Sequence, residues 1–498
     1  MERMMMPMDV AAVAQAVNGR IVPPAGGAVP SHAATHAVTD SRRIGAHGVF
    51  VAIKGERVDG HDYVARIGER GALAAIVDHE TPQADVTQIV VDDTVAALGD
   101  LARRNLELRR AAGTPFTVIG LTGSVGKTTT KDMLNALLST LGPTVAPVGS
   151  FNNEIGLPLT ALTVGADTRY LIAEMGANHL GEIARLTTIA PPDIAVVLKV
   201  GVAHLGEFGS VERIAQAKAE IVRGLVPEGV AVLNADDANV AAMASIAPGA
   251  VRRFGIDPAH RDEDDLTAAD ITLDDADRAA LTLTARDGDH ARLTLGIPGV
   301  HNVMNALAAA SVARLLGMDL EAIARTLAAL TRISPHRMAV SSVERDGAAF
   351  TLIDDSFNAN PDSMHAGIDG LMRRGADLDE APHRVAVLGA MLELGGDEHA
   401  LHREVGHYAA THGVDHVIAV GSATSADFDA LAASLAQGAR QAAAEGARTQ
   451  IDHAHGTDEA DALVARIARE HPGTLVLLKG SHFSGLSALA ERWERDAR

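Results

Sequence analysis

Short runs of consecutive apolar residues, each closing on a polar residue or a glycine, recur along the chain. Before Ala111 they are Gly48-Val-Phe-Val-Ala-Ile53 and Ala74-Ala-Ile-Val77. Four more follow: Phe116 to Leu121, Tyr170-Leu-Ile-Ala-Glu174, Ile194-Ala-Val-Val-Leu198 and Val230-Ala-Val-Leu-Asn234. Toward the C-terminus come Val385-Ala-Val-Leu388-Gly, Val417-Ile-Ala-Val420-Gly and Leu475-Val-Leu-Leu478-Lys-Gly480. Unbroken apolar runs of this length predict strands buried on both faces. Elsewhere apolar residues fall three and four apart, as in Met133, Leu134, Leu137, Leu138 and Leu141, and predict helices with one apolar face. Strands alternating with helices imply an α/β protein with largely parallel sheets and chemistry at the strand C-termini.

Two breaks divide the pattern. In Ala111-Ala-Gly-Thr-Pro115, Gly and Pro interrupt a helical stretch that ends near Arg110, and Ser334-Pro335 marks a second boundary. The expected organisation is a small α/β domain over 1–112, a central parallel-sheet domain of P-loop ATPase type over 113–332, and a Rossmann-like domain over 333–498. Residues 257–296 read differently. The acidic Asp262-Glu-Asp-Asp265, expected to be a solvated loop, precedes alternating Leu281-Thr-Leu-Thr284 and Arg292-Leu-Thr-Leu295 around Asp287-Gly288, a peripheral hairpin signal.

The strand ending at Leu121 leads into Thr122-Gly123-Ser124-Val125-Gly126-Lys127-Thr128 and then into a helix. Glycines let successive backbone N–H groups close around phosphate oxygens, and a helix N-terminus adds positive potential. Lys127 can reach terminal phosphates and Thr128 can hold Mg²⁺, so ATP is the expected ligand. The loop is shorter than the common form, because Leu121 stands where glycine would open it.

Composition narrows the setting. The 498 residues carry a formal charge of −21, which opposes general attraction to nucleic acid or an anionic membrane surface. No run is long enough to span a bilayer, so no membrane insertion is expected. Cysteine is absent, which excludes thiol catalysis and fits a reducing compartment; a cytoplasmic location is expected.

Three further residues are placed for chemistry. Glu174 closes a strand of the loop's own domain, where a carboxylate can reach Mg²⁺ on nucleotide phosphates. His204 follows the next strand and could bind a second cation. Ile214, Ala217, Ile221 and Val222 put Lys218 on the apolar face of a helix capped by Ser210. A buried ammonium is costly unless it is paired, chemically altered or able to snorkel outward.

Taken together, the chain resembles the Mur ligases, ATP-dependent amide-forming enzymes of peptidoglycan precursor synthesis, over nearly its whole length. The matching segments are Thr39-Asp-Ser-Arg42, Phe50 to Glu56 with Asp59-Gly-His61, the loop at 122–130, Asn152 to Pro158, and Glu174-Met-Gly-Ala-Asn178. His301-Asn302 with Asn305, Asp354 to Asp362, and Lys479-Gly-Ser481 complete the set. Within the family the resemblance is to members that join D-alanyl-D-alanine to UDP-N-acetylmuramoyl-tripeptide. The relatives that add a diamino acid are expected to carry an Asp-Asn-Pro-Arg type motif, and Asn360-Pro361-Asp362 lacks its arginine. A catalytically silent, nucleotide-binding homologue acting as a scaffold is the other alternative, against which Lys127, Thr128, Glu174, His204 and Lys218 all stand intact.

The resemblance implies roles. Ser41 and Arg42 would contact the UDP end of the substrate, and Asn152 and Asn153 its muramoyl-peptide portion. Glu174, His204 and a carbamylated Lys218 would hold magnesium, two ions being expected, with Thr128 beside them. Asn302 would approach adenine, while Arg337 and Asp355 would bring the third domain onto the nucleotide. A monomer is expected. Val125, His336, Ala390 and His482 depart from the family pattern, which has a polar residue, glycine, aspartate and arginine there.

Overall fold

The computed structural model describes residues 4–496 except 25–26, 56–57, 83, 202–204, 346 and 377–380. Its strands gather into three sheets, each drawn from one stretch of chain. The first runs in the order Arg20–Val22, Thr87–Val90, Ala72–Val77, Gly48–Val51, His36–Val38, parallel except at its first pair. The third runs Ala339–Arg345, Ala348–Asp355, Thr474–Lys479, Arg384–Gly389, His416–Val420, Gln450–Ala454, again parallel except at its first pair.

The central sheet has nine strands. Thr117–Thr122 lies between Tyr170–Glu174 and Ile194–Val197, parallel to both, so the loop after Thr122 and the carboxylate of Glu174 leave the sheet from the same edge. Val230–Asn234 and Val251–Gly255 extend it in parallel. Arg278–Ala285 and His290–Pro298 pair antiparallel with Leu283 opposite Ala291, so the expected hairpin forms and closes one edge of this sheet. Alternate residues of Arg278–Ala285 are buried, which is the reason its sequence alternates.

One expectation fails within the acidic stretch. Asp264 is not solvated: it is 1% exposed, and neither carboxylate oxygen has a hydrogen-bond partner. Burial, with Asp236 nearby, pushes its pKa up to about 6. Asp262 and Glu263 remain exposed, so the charge run is divided by a single inward-facing member.

The first two units share one continuous apolar core, from Met5 and Val49 through Leu98 and Leu101 to Val118 and Leu171. Thr94–Ala111, capped by Asp93, bridges them. Its buried Asn105 donates to the carbonyls of Ala161 and Val164, and Arg109 holds the carbonyls of Thr168, Thr114 and Pro115. The expected exit linker is thereby pinned. The third unit instead has cores of its own and meets the central unit largely through polar contacts, among them Arg373 on the buried Asp277 at 2.7 Å and Arg374 on the Ala276 carbonyl at 2.8 Å. A polar interface between separately cored units is the kind that permits relative motion.

Candidate active site

Gly126 opens the helix Lys127–Leu141 with φ +82°, in the left-handed region that favours glycine. A Cβ there would lie 2.2 Å from Asn305 Oδ1, so no larger residue fits without displacing that amide. The loop is fastened to the neighbouring strand: Ser124 N donates to the Lys199 carbonyl at 2.8 Å, and Gly201 N to Ser124 Oγ at 2.9 Å. Lys127 folds its ammonium onto the Gly123 carbonyl at 2.7 Å. Desolvation lowers its pKa, with Glu174 opposing the shift and Arg337 adding to it. An anion between Lys127 and Arg337 would relieve both cations.

Glu174 is fully buried. Its Oε1 accepts from Asn152 Nδ2 at 2.9 Å and from Thr128 Oγ1 at 3.4 Å, while Oε2 has no hydrogen-bond partner. Thr128 Oγ1 also lies 2.8 Å from Ser150 Oγ. A carboxylate oxygen left unpaired beside a loop threonine is the donor chemistry that suits Mg²⁺.

The third unit reaches into the same cleft. Arg337 Nη2 lies 3.4 Å from Thr128 Oγ1, and its guanidinium stacks over Phe357 at 4.5 Å. The preceding His336 has φ +61°, which explains why glycine suits this position; here an imidazole sits there, with Nδ1 2.7 Å from the buried Asp354. Asp355 pairs with Lys479, whose Nζ also donates to the Asn358 carbonyl at 3.3 Å. From the central unit, Asn305 donates to Asn302 Oδ1 at 2.8 Å, and Asn302 to the Pro298 carbonyl at 2.6 Å. Residues Ser124 to Thr128, Asn152, Glu174, Asn302, Arg337 and Asp355 thus line one cleft between the two units.

Other expected residues lie outside that cleft. Asn153 lines an adjoining one that shares Lys127 and Asn152 and is bordered by Asn178 and Arg185. Ser41 and Arg42 belong to the first sheet's surface: Arg42 is exposed and paired with Asp40 at 2.8 Å, and the Ser41 carbonyl accepts from Arg70. Thr122 is buried beneath the loop with an unpartnered hydroxyl, and Gly123 contributes its carbonyl to Lys127. His204 lies outside the described residues, as does Glu56.

Lys218 sits on the helix Val211–Arg223, whose N-cap Ser210 accepts from Arg213 N at 3.3 Å. It is 2% exposed, and no described residue gives it a hydrogen bond or ion pair. Desolvation, then the charge of Lys127, lowers its pKa to about 7.

Some contributors were not singled out in the sequence. Lys131 is buried, bonded to the Pro147 carbonyl at 3.1 Å, Ser334 Oγ at 3.2 Å and Asp132 at 2.7 Å; Asp132 in turn accepts from Ser334 N. Its place four residues after Lys127, on the same helix face, was the available signal. Phe357 lay inside the matching segment Asp354 to Asp362 with no role attached to it, and Ser150 carried no signal, since a lone serine in a loop has no periodicity to betray its neighbours.

Comparison with known proteins agrees in all three units. Family models match as "Mur ligase family, catalytic domain" over 35–105, "Mur ligase middle domain" over 121–313 and "Mur ligase, glutamate ligase domain" over 336–482. A UDP-N-acetylmuramoyl-tripeptide--D-alanyl-D-alanine ligase of Mycobacterium bovis is 40% identical, with 98% of each chain covered. Among solved structures, MurF from Acinetobacter baumannii superposes with a TM-score of 0.81 at 32% identity, covering 99% of both chains. The MurF ligase of Thermotoga maritima, in complex with ADP, gives 0.72 at 29% identity, covering 93% of this chain and 97% of that one.

Proposed function

The chain belongs to the Mur ligase family, and from that premise we infer its reaction: it joins D-alanyl-D-alanine to UDP-N-acetylmuramoyl-tripeptide in an ATP-dependent amide ligation. The observation that carries this reading is one cleft in which Lys127 and Glu174 of the central unit face Arg337 and Asp355 of the third. Nucleotide held there touches both units, and the polar interface between them allows closure to complete the site.

The tripeptide's terminal carboxylate attacks the γ-phosphorus of ATP, giving an acyl phosphate and ADP. The free amine of D-alanyl-D-alanine then attacks the acyl carbon, the C–O bond to phosphate breaks, and the amine's proton is lost to solvent. Lys127 and Arg337 stabilise charge spreading over the transferring phosphoryl oxygens, which is the main service a protein can give such a step. The loop N–H groups cradle the phosphates, and Asn302 approaches adenine.

Thr128 and Glu174 fit a Mg²⁺ site, since the buried Glu174 Oε2 has no partner and is free to ligate an ion. His204 and a carbamylated Lys218 are its proposed further ligands. Bound Mg²⁺ would supply charge neutralisation on the phosphates. Carbamylation fits the depressed pKa of Lys218: only a neutral amine attacks CO₂, and the product carries no buried positive charge.

In this reading residues 1–112 bind the UDP end through Ser41 and Arg42, Asn152 and Asn153 face the muramoyl-peptide portion, and residues 333–498 receive the dipeptide. The enzyme works as a cytoplasmic monomer; among the described residues no helix is long and apolar enough to cross a membrane. The test is purified protein with ATP, Mg²⁺ and UDP-muramoyl-tripeptide, following product mass. D-Ala-D-Ala should yield the pentapeptide product with ADP and phosphate. AMP and pyrophosphate, or better turnover of a diamino acid on the UDP-muramoyl-dipeptide, would overturn the assignment.

A further inference from the structure

Three ligand-bearing side chains converge at the edge of the third sheet, outside the nucleotide cleft. Asp429 lies in the first turn of the helix Ala426–Ala444, His453 lies in the edge strand Gln450–Ala454, and His455 follows that strand. Asp429 Oδ1 is 3.0 Å from His453 Nε2 and 2.9 Å from His455 Nδ1, and all three ligand atoms lie within 4.8 Å of one another. Two ligands about 2.1 Å from a tetrahedral Zn²⁺ stand about 3.4 Å apart, so a small adjustment would bring these atoms onto one ion.

Simple ion pairing accounts for only part of this arrangement. His455 Nδ1 is hydrogen-bonded to Asp429, but His453 Nε2, at nearly the same distance, is buried with no hydrogen bond. A buried ring nitrogen with no hydrogen bond of its own is free to meet a cation. The fold also makes room: a Cβ at Gly421, just past the neighbouring strand His416–Val420, would lie 2.3 Å from Asp429 Oδ1. The turn carrying His455 is fixed by its own N–H donating to Glu459 at 2.8 Å.

We propose that Asp429, His453 and His455 bind a divalent transition metal of the Zn²⁺ class, pinning the edge strand to the helix Ala426–Ala444. Two imidazoles and one carboxylate suit Zn²⁺, Co²⁺ or Ni²⁺ and discriminate against Mg²⁺, which prefers an all-oxygen shell. Three protein ligands leave a fourth position to water. Because His455 is more than half exposed, the ion exchanges with solvent rather than being locked in during folding.

The test uses the full chain, stripped with chelator and titrated with Zn²⁺ by calorimetry and with Co²⁺ by visible absorption. One equivalent that depends on Asp429 and His453 should bind with an affinity in the micromolar range or tighter, and Co²⁺ at that site should give the intense bands of a four-coordinate site. His453→Ala and the near-isosteric Asp429→Asn should each weaken that equivalent at least tenfold, while circular dichroism confirms that both remain folded. A second histidine cluster, His61 with Asp78 and His79, provides the control, and His79→Gln should leave the titration unchanged. No stoichiometric site, a site that persists in both variants, or one lost in His79→Gln would overturn the proposal.

Discussion

The side-chain amide of Asn152 donates to Glu174 Oε1 at 2.9 Å and leaves Oε2 of the same buried carboxylate unpaired. Under the proposed roles a residue facing the peptide substrate orients a metal ligand, so the two are expected to act as one unit. Glu174→Gln should lower kcat at least 100-fold in a folded protein, and Asn152→Ala about 10–100-fold, as expected for a residue that orients a ligand. Steady-state kinetics across a Mg²⁺ titration checks this. A normal Mg²⁺ dependence in both variants would contradict the unit.

Lys127 is desolvated in the free protein, held by a single carbonyl at 2.7 Å, and its pKa is lowered. Lys127→Met should abolish turnover by about 10²–10³-fold or more, the effect of removing one charged donor from a phosphoryl or acyl transition state. The melting temperature should not fall, because a partly buried cation is replaced by an apolar chain. Isotopic exchange into ATP and thermal melts measure the two effects separately.

Lys218, its pKa lowered to about 7 by desolvation and the charge of Lys127, is neutral at pH 7 far more often than an ordinary lysine, for which the neutral form is about one molecule in three thousand. Incubation with ¹³C-bicarbonate should give a carbamate carbon signal that Lys218→Ala lacks. That variant should lose activity without unfolding, and small carboxylates should restore part of it by occupying the vacated space. A CO₂-independent activity and no ¹³C signal would remove carbamylation from the mechanism.

Burial and the charge of Asp236 hold the Asp264 carboxyl at a pKa of about 6 in the folded protein, above the ordinary aspartate value of 3.8. The folded state therefore holds this proton more tightly than the unfolded chain. That contribution is complete below about pH 4 and is lost as pH rises through 6. Asp264→Asn should accordingly raise stability at pH 8, on the order of 1–3 kcal/mol, relative to its effect at pH 4.5. Urea unfolding at both pH values reads the difference; equal effects would mean that the buried carboxyl does not titrate there.

Much of this molecule is legible in local pattern. Tyr170–Glu174 and Val230–Asn234 form as strands over the residues their apolar runs span, and the loop from Thr122 to Thr128 turns where its glycines allow, because these features depend on neighbours within a few residues. Helical spacing likewise put Lys218 on an inward face, and that face is buried. Spacing does not state what an inward face meets. Asp264 sits in a charged run that reads as solvated, yet it is buried against Asp236 because separate strands converge there. Arg337 reaches Thr128 across 209 positions, and Asn305 fills the space that makes glycine necessary at 126. Periodicity encodes which side of an element avoids water. The partner on that side, and hence the cost of burying a charge or the fit of a ligand, comes from elements distant in sequence, and only the packed structure decides it.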